Sequence, residues 1–593
     1  MSQMIKLTID GIEVTVPEGT TALNAAKEIG IKIPTLCYLE DVHAHGICRL
    51  CLVEMTGRPN LLASCILEVT EGMELKTNTP RIHRARRTNL ELILANHVKD
   101  CLSCDRSVDC ELLAFAEKMN VDAYRFEEKV ENRVIDDSAF AIVRDSGKCI
   151  LCRRCITACQ SIQTVNTIGV QQRGAATVIA PAFDSLSDAV CVNCGQCAAV
   201  CPVNAIYEKN EIGEVEAALA NPEKFVVVQT APAIRAALGE TQGLPAGTCV
   251  TNKMVTALKI LGFDAIFDTN YTADLTIIEE GTELLTRLKS ALVDKNTKAI
   301  LPMMTSCSPG WVKFLEHFFP DFVENVSTAK SPQQMMGTIL KTYYAQKKNI
   351  DPKNMIVVSI MPCSAKKYEA RRPEMRSSGY QDVDYVLTTR ELGKLIKKYS
   401  IDFDNLPDSE FDNPLGTSSG AADIFANSGG VMEAALRTVH EIVTGKELPG
   451  ENLHIKDLMD IYGIREAKIC FKDCKPEYTW LEGVTAITAA TSGLGNARKL
   501  MDQVQDGNSP YHFIEIMACP GGCIGGGGQP RITNDEVRKK RFDAILKEDE
   551  GKIIRKSHEN PYIEELYKEF LGEPNGQKAH ELLHTHYTKR SEY

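Results

Sequence analysis

The sequence predicts a multidomain protein of mixed α+β and α/β class, with small cysteine-rich modules ahead of one large α/β unit. Three observations predict it. The chain has 593 residues, and at about 150 residues per domain that length calls for roughly three to five units. Most of its 22 cysteines fall before residue 205, in short repeats. Beyond about residue 210, continuous apolar runs alternate with helix-periodic stretches, the pattern of parallel strands joined by crossover helices.

Composition narrows the class. At 44% hydrophobic and 25% charged the chain is globular. No run approaches the roughly 18 apolar residues of a spanning helix, and the opening MSQMIKLTIDG lacks the apolar core of a signal peptide. A cytoplasmic protein is expected. In a reducing compartment dense CxxC spacings mean metal ligation or redox chemistry rather than disulfides. The net charge of -12 opposes nucleic acid as a partner. The basic run RIHRARR at 81–87 reads as the solvated face of a helix.

The elements follow in chain order. Residues 4–35 alternate apolar positions on each side of Asp10-Gly11 and then turn Ala-rich after Pro17, a hairpin followed by a helix. Cys37, Cys48, Cys51 and Cys65 come next, with ten, two and thirteen residues between them. A zinc ribbon would pair CxxC with CxxC, and here there is one such pair. The order resembles that of plant-type ferredoxins, stretched in its first gap, which implies a β-grasp domain over 1–80 holding a [2Fe-2S] cluster.

HVKDCLSCDRSVDC places His97 ahead of Cys101, Cys104 and Cys110. Four soft or borderline donors in so short a stretch complete a coordination sphere, by ligand type an iron-sulfur cluster or zinc. This defines a one-His/three-Cys domain over 81–135. Then CILCRRCITAC and CVNCGQCAAVCP give two copies of CxxCxxCxxxC. In the bacterial two-cluster ferredoxins that this resembles, the fourth cysteine of each run ligates the other cluster. Cys149, Cys152, Cys155 and Cys201 are therefore assigned to one [4Fe-4S] cluster, and Cys191, Cys194, Cys197 and Cys159 to a second, in a domain over 136–210. Clusters in series make an electron wire.

The remaining domain, 211–593, is read as α/β with mostly parallel sheets. KFVVVQTAPAIRAAL passes from buried strand to helix; KAILPMMTSC, NMIVVSIMPCS and YHFIEIMACPGGC are buried strands that each end at a cysteine. Sites in such sheets gather beyond the carboxyl ends of strands, where Cys307, Cys363, Cys519 and Cys523 lie. The six glycines of MACPGGCIGGGGQP would let backbone approach a bound group closely. No GK[ST] follows, so that group is a cofactor rather than a phosphate.

MACPGGCIGGGGQP with Glu515, MPCSAKKYE at 361–369, and TSCSPGW at 305–311 resemble the three signature segments of the [FeFe]-hydrogenases. The N-terminal cluster order resembles that of their larger clostridial-type members, so the likeness covers nearly the whole chain. It implies reversible conversion of protons and electrons to H2 at an H-cluster, a [4Fe-4S] cubane joined by a thiolate to a diiron unit with CO, CN and a dithiolate bridge. Cys363, Cys519 and Cys523 would ligate the cubane, Cys523 bridging to the diiron unit, and Lys366 would hold a cyanide as a compact charge. Ala231, Pro232, Ser331, Gln333, Met361, Phe425 and Met517 would line the pocket. A proton relay would run from Glu283 at the surface through Ser327 and Glu280 to Cys307. Glu280 and Glu283, three apart, share a helix face.

One position departs from the family pattern, which has two adjacent cysteines where this chain has Cys307 and Ser308. Either Cys307 ligates iron and Ser308 relays protons, or Ser308 binds as alkoxide and Cys307 keeps the proton role. Donor softness favours Cys307. Cys249, Cys470 and Cys474 fit no motif, and CFKDC reads as structural thiols. The first 205 residues also resemble a Complex I electron-wiring subunit, and the later cysteines resemble Nar-type cluster-assembly proteins; Lys366 and the intact MPCxxKxxE segment speak against both. No GxGxxG stands in the required context, so flavin and NAD(P) chemistry would come from [2Fe-2S]- and flavin-bearing partner subunits, with ferredoxin the other candidate partner. Maturation proteins for the diiron unit are implied.

Overall fold

The computed structural model describes residues 3–40, 44–127, 133–183, 185–294, 300–412, 415–450, 463–531 and 534–591. At the N-terminus the strands Met4–Ile9 and Ile12–Pro17 pair antiparallel with Ile9 opposite Ile12. Asp10 and Gly11 between them both take positive φ, 50° and 84°, as a two-residue hairpin turn requires. The helix Ala22–Glu28 begins at Thr21, whose hydroxyl accepts the N–H of Asn24. A five-stranded sheet forms, in which Met4–Ile9 runs parallel to Glu74–Lys76. Ile5, Leu7, Val14, Val16, Ala25 and Ala26 fill the space between sheet and helix.

The helix Pro80–Ala95 carries the basic run. Its solvated face is incomplete: Arg86 is buried and its Nη2 donates to the carbonyl of Leu52 at 2.7 Å. One arginine thus ties the helix to the first sheet, while Arg81, His83 and Arg84 stay exposed.

The two CxxCxxC loops share one backbone form. Leu151 and Arg153 have φ of 54° and 64°, and the equivalent Asn193 and Gly195 have 58° and 73°. Each loop then enters a four-residue helix, Arg154–Thr157 or Gln196–Ala199. Four left-handed residues at matching places, three of them with a Cβ, show that the loop shape is imposed by the cysteine spacing rather than by local propensity.

The large unit is built on two four-stranded sheets. In the first, Ala265–Asp268, Phe225–Thr230, Met355–Met361 and Tyr385–Thr388 lie side by side, all parallel. In the second, Met303–Met304, Phe513–Met517 and Thr485–Ser492 are parallel and the edge strand Ile464–Cys470 is antiparallel. Val226, Val227, Val228, Ile266, Val357 and Ile360 are buried on both faces of the first sheet, as continuous apolar runs predict.

Two expected elements are shorter than the sequence implied. The residues after Thr230 form only a 3-10 turn, Pro232–Ile234, before a short helix Leu238–Thr241. Between them the guanidinium of Arg235 is drawn inward onto Asp268 and Asp423, at 2.8 and 2.9 Å, and the backbone follows it. The strand before Cys307 has two residues, Met303–Met304, because Pro302 has no N–H for the ladder.

Candidate active site

Three strands of the large unit deliver the cysteines. Cys307 follows Met303–Met304, Cys363 follows Met355–Met361, and Cys519 and Cys523 follow Phe513–Met517. All four line one cavity of ≈ 80 Å³, with Lys366 in its wall. Ala231, Pro232, Gln333, Met361, Phe425 and Met517 line it too, as the sequence led us to expect. Ser331 does not reach the wall; its hydroxyl donates to Glu369 at 2.9 Å, one layer behind. Thr269 and Pro332 belong to the wall and carried no sequence pattern that marked them.

The glycine run also admits neighbouring backbone. A Cβ on Gly522 would stand 2.6 Å from the N of Ser428, on Gly526 2.3 Å from the O of Pro362, and on Gly527 2.2 Å from the O of Cys194. Gly522 and Gly526 line the cavity as well. Together these glycines press the Cys523 segment against the Cys363 segment and against the second CxxCxxC loop. The junction is sealed by side chains: Gln163 Nε2 donates to Ala518 O at 2.9 Å, Gln196 Nε2 to Gly525 O at 3.0 Å, and Ser364 Oγ to Asn193 O at 3.0 Å. Burial first, and then the nearby Cys519, raise the Cys194 thiol well above its ordinary range.

Lys366 Nζ pairs with Glu369 across one turn of the helix Ala365–Ala370, at 2.8 Å to Oε2. Glu369 also accepts Gln333 Nε2 at 3.1 Å. Gln333 Oε1 is buried with no partner among the described residues. A buried orphan acceptor beside an ammonium and four thiols fits a wall built for a polar, sulfur-ligated group. Glu515, beneath Cys519, accepts the N–H groups of Gly429 and Met432 at 2.6 and 2.7 Å and so caps the helix Gly430–Thr444. Burial pushes its carboxyl up to about 7.

The relay residues come together on the 23-residue helix Asn270–Leu292. Ser327 Oγ donates to Glu283 Oε2 at 2.8 Å and also faces Glu280. Glu283 is not at the surface: it is 8% exposed, and Arg287 Nη2 covers it at 2.5 Å. Burial first, then the charge of Glu283, pushes Glu280 up to about 8. Ser306, which no sequence pattern marked, anchors Glu280: its hydroxyl lies 3.2 Å from Glu280 Oε1 and 2.6 Å from Ala329 O. Burial, and then the nearby Glu280, raise the Cys307 thiol well above its ordinary range. Ser308 Oγ accepts the N–H of Ala518 at 3.1 Å.

The other cysteines group as follows. Cys51 and Cys65 sulfurs stand 3.3 Å apart, and Cys37 reaches Cys48. Cys149, Cys152, Cys155 and Cys201 line one cavity; Cys159, Cys191, Cys194 and Cys197 line another. His97 is buried and its Nδ1 meets the carbonyl of Lys148 at 3.0 Å, which leaves Nε2 free for a metal. Cys101, Cys104 and Cys110 are all partly exposed, and burial raises the Cys110 thiol.

Among the described residues, only Glu441, His558 and Glu559 bring three donor atoms within 4.8 Å of one another. That trio already holds the Lys556 ammonium, 2.6 Å from Glu441. No cysteine triplet is so tight, although a single zinc with Zn–S of about 2.3 Å needs sulfurs about 3.8 Å apart. Cys249 and Cys470 are exposed, while Cys474 is partly buried and packs against the core that holds Phe471 and Leu481. No described helix is long and apolar enough to cross a membrane.

Comparison with known proteins bears on all of this. Residues 224–527 match a family described as iron only hydrogenase large subunit, C-terminal domain, and 535–590 match iron hydrogenase small subunit. Residues 2–80 match a 2Fe-2S iron-sulfur cluster binding domain, 86–125 an NADH-ubiquinone oxidoreductase-G iron-sulfur binding region, and 148–205 a 4Fe-4S dicluster domain. NADP-reducing hydrogenase subunit HndD of Solidesulfovibrio fructosivorans is 52% identical over 596 residues, 99% of each chain. Iron hydrogenase 1 of Clostridium pasteurianum is 38% identical over 99% of this chain and 100% of its own. The structure of a variant of [FeFe]-hydrogenase HydA1 from Chlamydomonas reinhardtii superposes with a TM-score of 0.58 at 43% identity, over 64% of this chain and 99% of that one.

Proposed function

The chain belongs to the iron-only hydrogenases, and on that premise we propose that it interconverts H2 with protons and electrons at the four-cysteine cavity. One observation carries the reading. Strand-end cysteines and Lys366 converge on a single small cavity, and the second CxxCxxC loop packs against the glycine segment that follows Cys523, so a redox group seated there would lie beside the accessory cysteines.

Cys363, Cys519 and Cys523 would hold the cubane, and Lys366 with the amide of Gln333 would hold the diiron unit. That unit supplies, when bound, the metal at which the H–H bond is made or broken. Cys307 serves as the fourth cubane ligand: Ser308 Oγ already accepts a backbone N–H, and thiolate is the softer donor. Phe425, Met361 and Met517 keep water out of the cavity. Glu280, held protonated near neutral pH, stands at the inner end of the relay beside Cys307 and is refilled from Glu283 through Ser327, with the Ser306 hydroxyl fixing its carboxyl.

One [2Fe-2S] and three accessory [4Fe-4S] clusters would join the cavity to a partner. Likeness to a subunit of an NADP-reducing hydrogenase favours docking to flavin- and [2Fe-2S]-bearing NAD(P)-linked subunits over ferredoxin alone. The assembly-factor and electron-wiring readings are weaker, because likeness extends over 99% of a hydrogenase subunit.

The test is isolation of the matured protein from its native source. Iron near 20 atoms per chain, about the sum of those clusters and the H-cluster, with infrared bands of bound CO and CN, supports the proposal. Absence of those bands after maturation defeats it. Co-elution of other subunits, with NAD(P) reduced by H2, separates the complex from a free ferredoxin-coupled enzyme.

A further inference from the structure

The C-terminal segment enters the outer end of the relay. Residues 583–587 run beside 327–330: Lys330 N donates to Leu583 O and Thr585 N to Thr328 O, each at 2.7 Å, and the Tyr587 hydroxyl donates to Ser327 O at 2.7 Å. This pairing seats His584 against the Asn270–Leu292 helix, where it is 6% exposed. Its Nδ1 stands 2.8 Å from Thr328 Oγ1, and its Nε2 stands 2.9 Å from Glu279 Oε2. Thr328 Oγ1 is 3.3 Å from Glu283 Oε2, which also accepts the Thr328 N–H at 3.0 Å.

A threonine hydroxyl has one proton to donate, and two acceptors compete for it here. With a proton on His584 Nδ1, that N–H donates to Thr328 and the hydroxyl proton is released to Glu283. With Nδ1 bare, the hydroxyl turns to the imidazole and Glu283 loses one hydrogen bond. A carboxylate that accepts fewer hydrogen bonds binds its proton more tightly. We infer that His584 is a positioning residue of the proton relay: through the Thr328 hydroxyl it sets how strongly Glu283 holds the proton in transit. This rests on the relay reading given above.

The groups facing the imidazole complete the arrangement. From the long helix come Glu279, which also takes the Tyr567 hydroxyl and the Asn575 N–H, and Glu283, which is paired with Arg287. The exposed ring of His580 stacks on His584 at 4.6 Å. Glu279 meets the imidazole directly at Nε2, and Glu283 reaches it only through the Thr328 hydroxyl. The ring is thus coupled to the state of the relay and not merely to bulk pH.

The experiment uses the full matured chain in H2 oxidation with an artificial electron acceptor, across pH. Companion infrared difference spectra follow the protonated carboxyl band of Glu283, identified by its loss in Glu283→Gln. His584→Gln and Thr328→Val should each slow turnover about fivefold, roughly one hydrogen bond. Each should remove an imidazole ionisation from the pH profile and from the Glu283 titration. Thr328→Ser should restore both, and the double variant should be no slower than either single one. Should His584→Gln fail to fold, the Val and Ser variants at 328 carry the test. An unchanged profile and an unchanged Glu283 band in these variants overturn the inference. If Glu280→Gln and Glu283→Gln keep full turnover, the relay reading itself fails.

Discussion

Lys366 Nζ stands 2.8 Å from Oε2 of Glu369, so the ammonium in the cavity wall is held by a carboxylate one layer behind it. Both side chains are nearly buried, at 11% and 5% exposure. Removing one partner strands the other. Glu369→Gln should therefore cost about 3–5 kcal/mol in unfolding free energy. Lys366→Met together with Glu369→Gln should cost less than the sum of the two single changes. Chemical denaturation of the three variants measures the coupling; strict additivity would mean that the pair does not act as a unit.

Glu280 makes stability depend on pH in a definite direction. Its carboxyl is raised from 4.5 to about 8, so the folded state binds a proton that the unfolded state has already lost. The favourable contribution is complete below 4.5 and is lost as pH rises toward about 8. Glu280→Gln cannot lose that proton. Its stability relative to the parent chain should rise through this window and level off above it, while H2 turnover falls about 100- to 10,000-fold. Urea titrations at several pH values read the first effect, and a gap that does not change with pH contradicts it.

Gly527→Ala should disturb electron delivery more than chemistry. The added methyl meets the carbonyl of Cys194 at 2.2 Å, with no flexible side chain to yield. We expect a stability loss of about 1–3 kcal/mol and slowed reduction of the cavity's redox group by the accessory clusters. Rapid-freeze paramagnetic resonance compares the order in which the clusters are reduced by H2. Unchanged kinetics would show that the two segments can part without consequence.

The Cys307 and Ser308 pair separates by single exchange. Cys307→Ser should abolish the cubane signal in Mössbauer and paramagnetic spectra, while Ser308→Cys should keep it. An intact cubane in Cys307→Ser would move the ligand to Ser308.

The accessory cysteines were legible because their ligands are neighbours in sequence, and a spacing of two residues survives any packing. The active-site cysteines were legible only as the ends of three apolar strands. What surrounds them was not. Ser306 and Thr269 are ordinary polar residues whose importance comes from facing Glu280 or the cavity, and nothing local encodes that. Glu280 and Glu283 could be read as a pair on one helix face, but their burial depends on segments about twenty to several hundred residues away. The glycine run was visible, but the backbone of Ser428, Pro362 and Cys194 that it admits was not, since a glycine shows that something approaches without showing what. His584 lies 256 residues beyond Thr328, past the reach of any pattern.

The contact between Gly527 and the Cys194–Gly195 backbone has a consequence for the rate of electron tunnelling, which falls steeply with separation. Side chains usually set such gaps and can be lengthened, trimmed or reoriented. Here main chain rests on main chain, so the gap is fixed by peptide geometry and has no adjustable part. Substitutions nearby can retune the potentials of the two redox groups, but the distance between them changes only if the domains come apart.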